Sequence, residues 1–124
     1  MPRILIVDDS NLARRTTRKI LEDGGHEVVE AQDGMGALER YFTEKPDLTL
    51  LDVTMREMDG IEVLTRIREL DVQAIVVIVT ADVQSSTRDM AAAAGAAGFV
   101  MKPVSPPILL AAIDAALQGG VSCN

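Results

Sequence analysis

Two adjacent carboxylates, Asp8 and Asp9, follow the apolar run Arg3-Ile4-Leu5-Ile6-Val7. Asp52 follows a second run, Leu48-Thr49-Leu50-Leu51. Thr80 ends a third, Ile75 to Val79, and Lys102 follows a fourth, Ala97 to Met101. Singly, each has an ordinary explanation: a helix cap, a loop aspartate, a β-branched strand residue, a solvated lysine. Together, at the tips of parallel strands, they set an acidic cluster against one hydroxyl and one ammonium. Converging carboxylates repel and raise each other's proton affinity unless a cation neutralises them. A hard divalent ion with oxygen ligands and retained waters does so, and Mg²⁺ fits best, with Mn²⁺ as an alternative. A carboxylate oxygen can then attack phosphorus and form an acyl phosphate. The ion, ammonium and hydroxyl would stabilise the phosphoryl oxygens in an in-line transition state. Asp52, alone on a central tip, is the candidate nucleophile. Asp8 and Asp9 are better placed to hold metal.

The elements that must position these residues alternate short β-rich runs with helical stretches. Arg3 to Val7 lacks polar alternation, as buried parallel strands do. A helix is predicted over Asn11 to Asp23, with Leu12, Ala13, Thr16, Ile20 and Leu21 toward the core, ended by Gly24-Gly25. A second strand spans Glu27 to Ala31. Asp33 caps a helix from Gly34 to about Glu44, which Pro46 stops. The third strand is Leu48 to Leu51. A helix from Ile61 to Leu70 puts Ile61, Leu64, Ile67 and Leu70 on one face. Ala74 to Val79, a helix from Gln84 to Ala94 closed by Gly95, and Ala97 to Met101 follow. Ser105 caps a last helix that has Pro106 at its first position and runs to about Gln118. Five β-α units imply a parallel α/β sheet, doubly wound as a three-layer sandwich by right-handed crossovers. Ligands of such sheets bind beyond the strand C-termini, where strand order reverses. The candidate residues fall there.

The bulk properties agree. One domain is expected in 124 residues that are 48% hydrophobic and 25% charged. A net charge of -7 argues against direct nucleic-acid binding. No apolar stretch is long enough to cross a bilayer, and the N-terminus lacks signal-peptide features. The single cysteine, Cys123, cannot form an internal disulfide, so a cytoplasmic location is expected. His26 starts the second strand and is expected at the surface.

Ile6-Val7-Asp8-Asp9-Ser10, Asp52, Met58-Asp59-Gly60, Thr80-Ala81 and Lys102-Pro103 resemble, in order and spacing, the receiver domain of bacterial response regulators. The resemblance covers Met1 to about Gln118 and points to stand-alone, chemotaxis-type receivers of two-component systems. It implies a (βα)5, flavodoxin-like fold with strand order 2-1-3-4-5. It implies that Asp52 accepts a phosphoryl group from a histidine kinase or phosphotransfer protein. Asp8, Asp9, Asp52 and the Thr54 backbone carbonyl would bind the metal. Thr80 and Lys102 would contact the phosphoryl group, across a cis Lys102-Pro103 peptide. Phe99 would be the switch aromatic, and Thr54 and Asp82 would tune hydrolysis. Residues 1–118 would form the receiver and 119–124 a flexible tail. Such a protein is a signalling module rather than an enzyme, and its output is a protein target that reads the fourth helix, fifth strand and fifth helix. Arg56 stands where the family commonly has proline, which leaves the loop after Asp52 freer.

Three alternatives stand beside this reading. An aspartate-nucleophile phosphohydrolase would carry a second aspartate two residues after the nucleophile, where this chain has Thr54. A flavin or nucleotide carrier would need a Gly/Ser/Thr-rich loop after the first strand, where this chain has carboxylates. The chain is also compatible with a receiver excised from a longer regulator that has an output domain.

Overall fold

The computed structural model describes residues 2–53, 60–81 and 84–119. Thr54, Arg56, Met58, Asp59, Asp82, Cys123 and the tail beyond Gly119 lie outside the described residues. Five strands alternate with five helices: β1 (Arg3–Val7), α1 (Asn11–Asp23), β2 (Glu27–Ala31), α2 (Gly34–Glu44), β3 (Leu48–Leu51), α3 (Gly60–Leu70), β4 (Val76–Thr80), α4 (Ser85–Ala93), β5 (Gly98–Met101) and α5 (Pro106–Leu117). The strands form one sheet in the order β2-β1-β3-β4-β5, every pair parallel. The expected fold class and strand order are those observed. Order reverses between β1 and β3, whose last residues pair as Val7 with Leu51. The C-terminal ends of these two strands therefore flank the switch point.

Side-chain alternation along the strands splits the core in two. Leu5, Val7, Leu51, Val76 and Ile78 pack beneath α2, α3 and α4. Ile4, Ile6, Leu50, Val77, Val79 and Val100 pack beneath α1 and α5. Both faces of β1, β3 and β4 are thus covered, which is why these runs are continuously apolar. Among the described residues no helix is long and apolar enough to cross a membrane.

Local chemistry sets the helix ends. Ser10 Oγ accepts from the Ala13 N–H and Asp33 Oδ1 from the Gly36 N–H, as N-caps do. Ser105 is also an N-cap residue, but its side chain makes no capping hydrogen bond, and Pro106 removes one N–H that needs a partner. Gly60 is required by close approach: a Cβ there would lie 2.3 Å from Val53 Cα and 2.6 Å from the Asp52 carbonyl oxygen.

Four expected placements are corrected, three in the core and one at the surface. In α1 the inward line runs through Thr17 and Leu21, with Ala13 and Ile20 half-buried, so Leu12 is 71% exposed and Thr16 lies outside. In α3 the buried stripe is Gly60, Val63, Leu64 and Ile67, and its slow drift around the helix leaves Leu70 at the exposed end. His26 is half-buried rather than superficial, and its ring Nδ1 is buried with no hydrogen-bond partner among the described residues.

Candidate functional site

The site is built from backbone tethers at the strand ends. The Asp8 N–H donates to the Ala31 carbonyl, the Asp52 N–H to the Val7 carbonyl, and the Lys102 N–H to the Thr80 carbonyl. Each residue just past a strand is thus tied to the tip of its neighbour, so Asp8, Asp52, Thr80 and Lys102 share one edge. Asp8, Asp52 and Thr80 are buried.

Lys102 crosses the cleft. Its Nζ donates to Asp8 Oδ2 at 2.6 Å and to Asp52 Oδ2 at 2.9 Å. Charge-assisted bonds of this length are strong, and here they are shielded from water. Burial works to lower the lysine's pKa, but the hydrogen bonds and charges of Asp8 and Asp52 outweigh it and hold the ammonium above its ordinary value. The Lys102–Pro103 peptide bond is cis. Asp8 is fixed a second way, since its Oδ1 accepts from the Ser10 N–H at 2.9 Å.

Asp8 and Asp52 converge on Lys102 Nζ. Asp9 is exposed, and among the described residues no three His, Cys, Asp or Glu side chains stand close enough to form a metal cluster. Asp8 is buried, bonded to Lys102 and held to the Ser10 backbone, whereas Asp9, one residue farther from the strand, is exposed. The donor set still fits a hard divalent ion. Two carboxylate oxygens already converge on one cation, and Mg²⁺ is commonly held by one or two carboxylates together with waters and substrate phosphate. Thr54 and Asp82 lie outside the described residues.

Phe99, paired in register with Ile78, packs partly buried against the core beneath α4. The Arg88 guanidinium of α4 lies over its ring, 5.2 Å from the centroid. Beside Lys102, a groove of about 440 Å³ is lined mainly by Leu12, Ala13, Thr16, Ala81, Pro103 and Val104. Exposed Leu12 is one of its walls, so the residue missing from the core is part of the rim of the site.

Sequence reasoning missed Arg14. Its side chain is only 11% exposed, and its NH1 donates to the Asp8 backbone carbonyl at 2.5 Å. A signal was present. A cation in the first turn of a helix opposes the helix dipole, so its presence there calls for another role.

Fold and site define a doubly wound protein with a carboxylate–ammonium cleft at its switch point, a CheY-like member of the flavodoxin-type folds. Residues 4–114 match the family described as response regulator receiver domain. The chain belongs to that family. It is 43% identical over 117 residues to chemotaxis protein CheY of Bacillus subtilis (strain 168), covering 94% of this chain and 98% of that protein. It is 40% identical over 119 residues to the nitrate/nitrite response regulator NarP of Escherichia coli (strain K12), covering 94% of this chain but 55% of that protein. A CheY-like receiver domain protein from Methanospirillum hungatei JF-1 superposes with a TM-score of 0.91 at 33% identity, covering 96% of this chain and 95% of that structure.

Proposed function

We propose that this chain is a single-domain response regulator that accepts a phosphoryl group on Asp52 from the phosphohistidine of a histidine kinase or phosphotransfer protein. One observation carries the reading: Asp52 is buried at the end of the central strand with its carboxylate bonded to Lys102 Nζ. In this mechanism an Asp52 oxygen attacks phosphorus in line, the new O–P bond forms as the N–P bond breaks, and the imidazole leaves with the bonding pair. Mg²⁺, held by Asp8, Asp9, Asp52 and the Thr54 carbonyl, would neutralise charge on the phosphoryl oxygens. Lys102 then exchanges a carboxylate partner for a phosphoryl oxygen, and the Thr80 hydroxyl turns toward another. By the family resemblance, Thr54 and Asp82 would tune hydrolysis of the acyl phosphate.

The donor must bring its histidine over this cleft. The apolar groove walled by Leu12, Pro103 and Val104 offers a docking surface for it. Phosphorylation adds about 1.5 to 2 negative charges. Through Thr80 and Phe99 it favours one of two pre-existing conformers and reshapes α4, β5 and α5 for a protein target. The name of the Bacillus relative favours chemotaxis as the pathway. The chain acts in the cytoplasm as a signalling module, with residues 1–118 as the receiver and 119–124 as a tail.

Intact mass after incubation with Mg²⁺ and acetyl phosphate tests the reading. Wild type should gain one hydroxylamine-labile phosphoryl group, and Asp52→Asn should gain none. Equal gain in both would show that Asp52 is not the acceptor. The NarP match over about half of that protein favours a second reading, a receiver that is part of a longer regulator. The size of the native gene product on an immunoblot separates the two.

A further inference from the structure

We propose that Arg14 is a positioning residue that sets the backbone of the Asp8-Asp9 loop for metal binding; the inference rests on the receiver reading above. Helical side chains tilt toward the N-terminus of their helix, so Arg14, in the first turn of α1, reaches back across the turn to the loop that precedes it. There its guanidinium makes three contacts. NH1 donates to the Asp8 backbone carbonyl at 2.5 Å, Nε donates to Glu30 Oε1 at 3.0 Å, and NH2 donates to Asn11 Oδ1. Glu30 on β2 is held from its other side, where Oε2 accepts from Arg18 NH1 at 2.5 Å. The chain of contacts therefore runs from α1 to β2 and back to the acidic loop.

The geometry divides the work on Asp8 among three partners. Lys102 takes its Oδ2, the Ser10 N–H takes its Oδ1, and Arg14 takes its main-chain oxygen. Arg14 touches neither carboxylate oxygen of Asp8, so it would not compete with a metal for them. Its contact fixes instead the peptide that joins Asp8 to Asp9, and hence the direction in which Asp9 leaves the strand. A positive charge near a cation site opposes metal binding by simple electrostatics, and the Glu30 carboxylate offsets it. The arrangement thus suits a planar fork that can reach three acceptors at once; an ammonium cannot do so.

The test measures Mg²⁺ affinity by calorimetry on metal-free protein, the Mg²⁺ dependence of acetyl phosphate labelling, and the melting temperature without Mg²⁺. Arg14→Gln and Arg14→Lys are both expected to weaken Mg²⁺ binding about 10-fold, the scale on which partners of metal-ligating groups act. The Mg²⁺ needed for half-maximal labelling should rise in step, while the rate at saturating Mg²⁺ stays near wild type. Glu30→Gln, which leaves Arg14 in place but loosens its anchor, should show a smaller weakening and covers the case in which the Arg14 variants do not fold. Lys19→Gln, on the same helix but paired with Asp23 and not with the Arg14–Glu30 chain, should bind Mg²⁺ as wild type does. A lowered melting temperature with unchanged Mg²⁺ affinity would overturn the inference and leave Arg14 a structural residue. Full rescue by Arg14→Lys would also overturn it, since charge rather than the fork would then be at work. Wild type that takes up no Mg²⁺ would overturn the receiver reading and this inference with it, whereas a binding wild type with unaffected variants sinks the inference alone.

Discussion

Lys102 places one ammonium between two buried carboxylates, and each of the three would be costly to bury alone. Removing one member of a buried ion pair leaves an uncompensated charge, with typical losses of about 3 to 5 kcal/mol. Lys102→Met should therefore lose about 3 kcal/mol in metal-free protein by urea unfolding. Added Mg²⁺ should restore more stability to the variant than to wild type, because the ion replaces the missing cation. Equal Mg²⁺ effects in both proteins would contradict this. The pH dependence has a fixed sign. The lysine's pKa is raised in the folded chain. Its contribution is therefore present in full below the unfolded value of about 10.4 and is lost as pH rises through the folded value. Wild-type stability should fall in that alkaline range, with a smaller fall in Lys102→Met. Thr49 shows the opposite economy. It is fully buried in β3, and its Oγ1 has no hydrogen-bond partner among the described residues. Thr49→Val removes an unsatisfied hydroxyl at nearly constant volume and should raise stability by about 1 kcal/mol. An equal or lower urea midpoint in the variant would mean that the hydroxyl is satisfied in solution.

At the scale of elements, α3 starts in close contact with the backbone just past β3. Gly60 opens α3 directly over the Val53 backbone and the Asp52 carbonyl. Gly60→Ala cannot be absorbed by a flexible side chain, so the helix must move away from the Asp52 backbone. We expect a loss of about 3 kcal/mol or more by urea unfolding, together with slower acetyl phosphate labelling. A variant of wild-type stability would show that this contact can open freely. The far end of α3 is tied differently. The hydroxyl of Tyr41 on α2 donates to Asp71 just beyond α3, at 2.7 Å. Much of this was legible in the sequence, because strands buried on both faces read as continuous apolar runs and most breaks carried Gly, Pro or a capping side chain. The Arg3–Val7 and Leu48–Leu51 strands, and the helices from Asn11 and Gly34, stand where those signals put them. Leu12 and Leu70 were misplaced because periodicity names an apolar face without saying where the neighbouring layer stops covering it. Leu12 is exposed where it lines the groove beside Lys102, and Leu70 is exposed as the last residue of α3. The convergence of Asp8, Asp52 and Lys102 was legible from strand-end position alone. The difference in burial between Asp8 and Asp9 was not, since two adjacent carboxylates after a strand look alike in sequence. The Arg14 contact depends on a pairing with Glu30 across 16 residues, and no local pattern encodes that.

For the whole molecule, the question is how a charge added at one edge of the sheet reaches a surface that a partner can read. The link proposed for this chain is Phe99, half-buried on β5 with the Arg88 guanidinium over its ring. If the aromatic turns inward on phosphorylation, that contact exists in only one of the two conformers and biases the resting equilibrium against the switch. Exposed cation–π pairs are worth about 0.5 to 1 kcal/mol, so losing this one should shift the population ratio about 2- to 5-fold. Arg88→Leu keeps a side chain over the ring while removing the charge. Phenylalanine occurs only as Phe42 and Phe99, so labelled phenylalanine gives an NMR spectrum simple enough to follow the switch directly. The Phe99 signal of unphosphorylated Arg88→Leu should move part of the way toward its position in beryllofluoride-treated wild type, while that of Phe42 stays in place. The variant's affinity for a target of the phosphorylated form, measured without phosphorylation, should rise by the same factor, because affinity scales with the fraction of competent conformer. An unmoved Phe99 signal would mean that the guanidinium stacks equally well in both states, and control of the switch would then rest with Thr80 and the phosphoryl group alone.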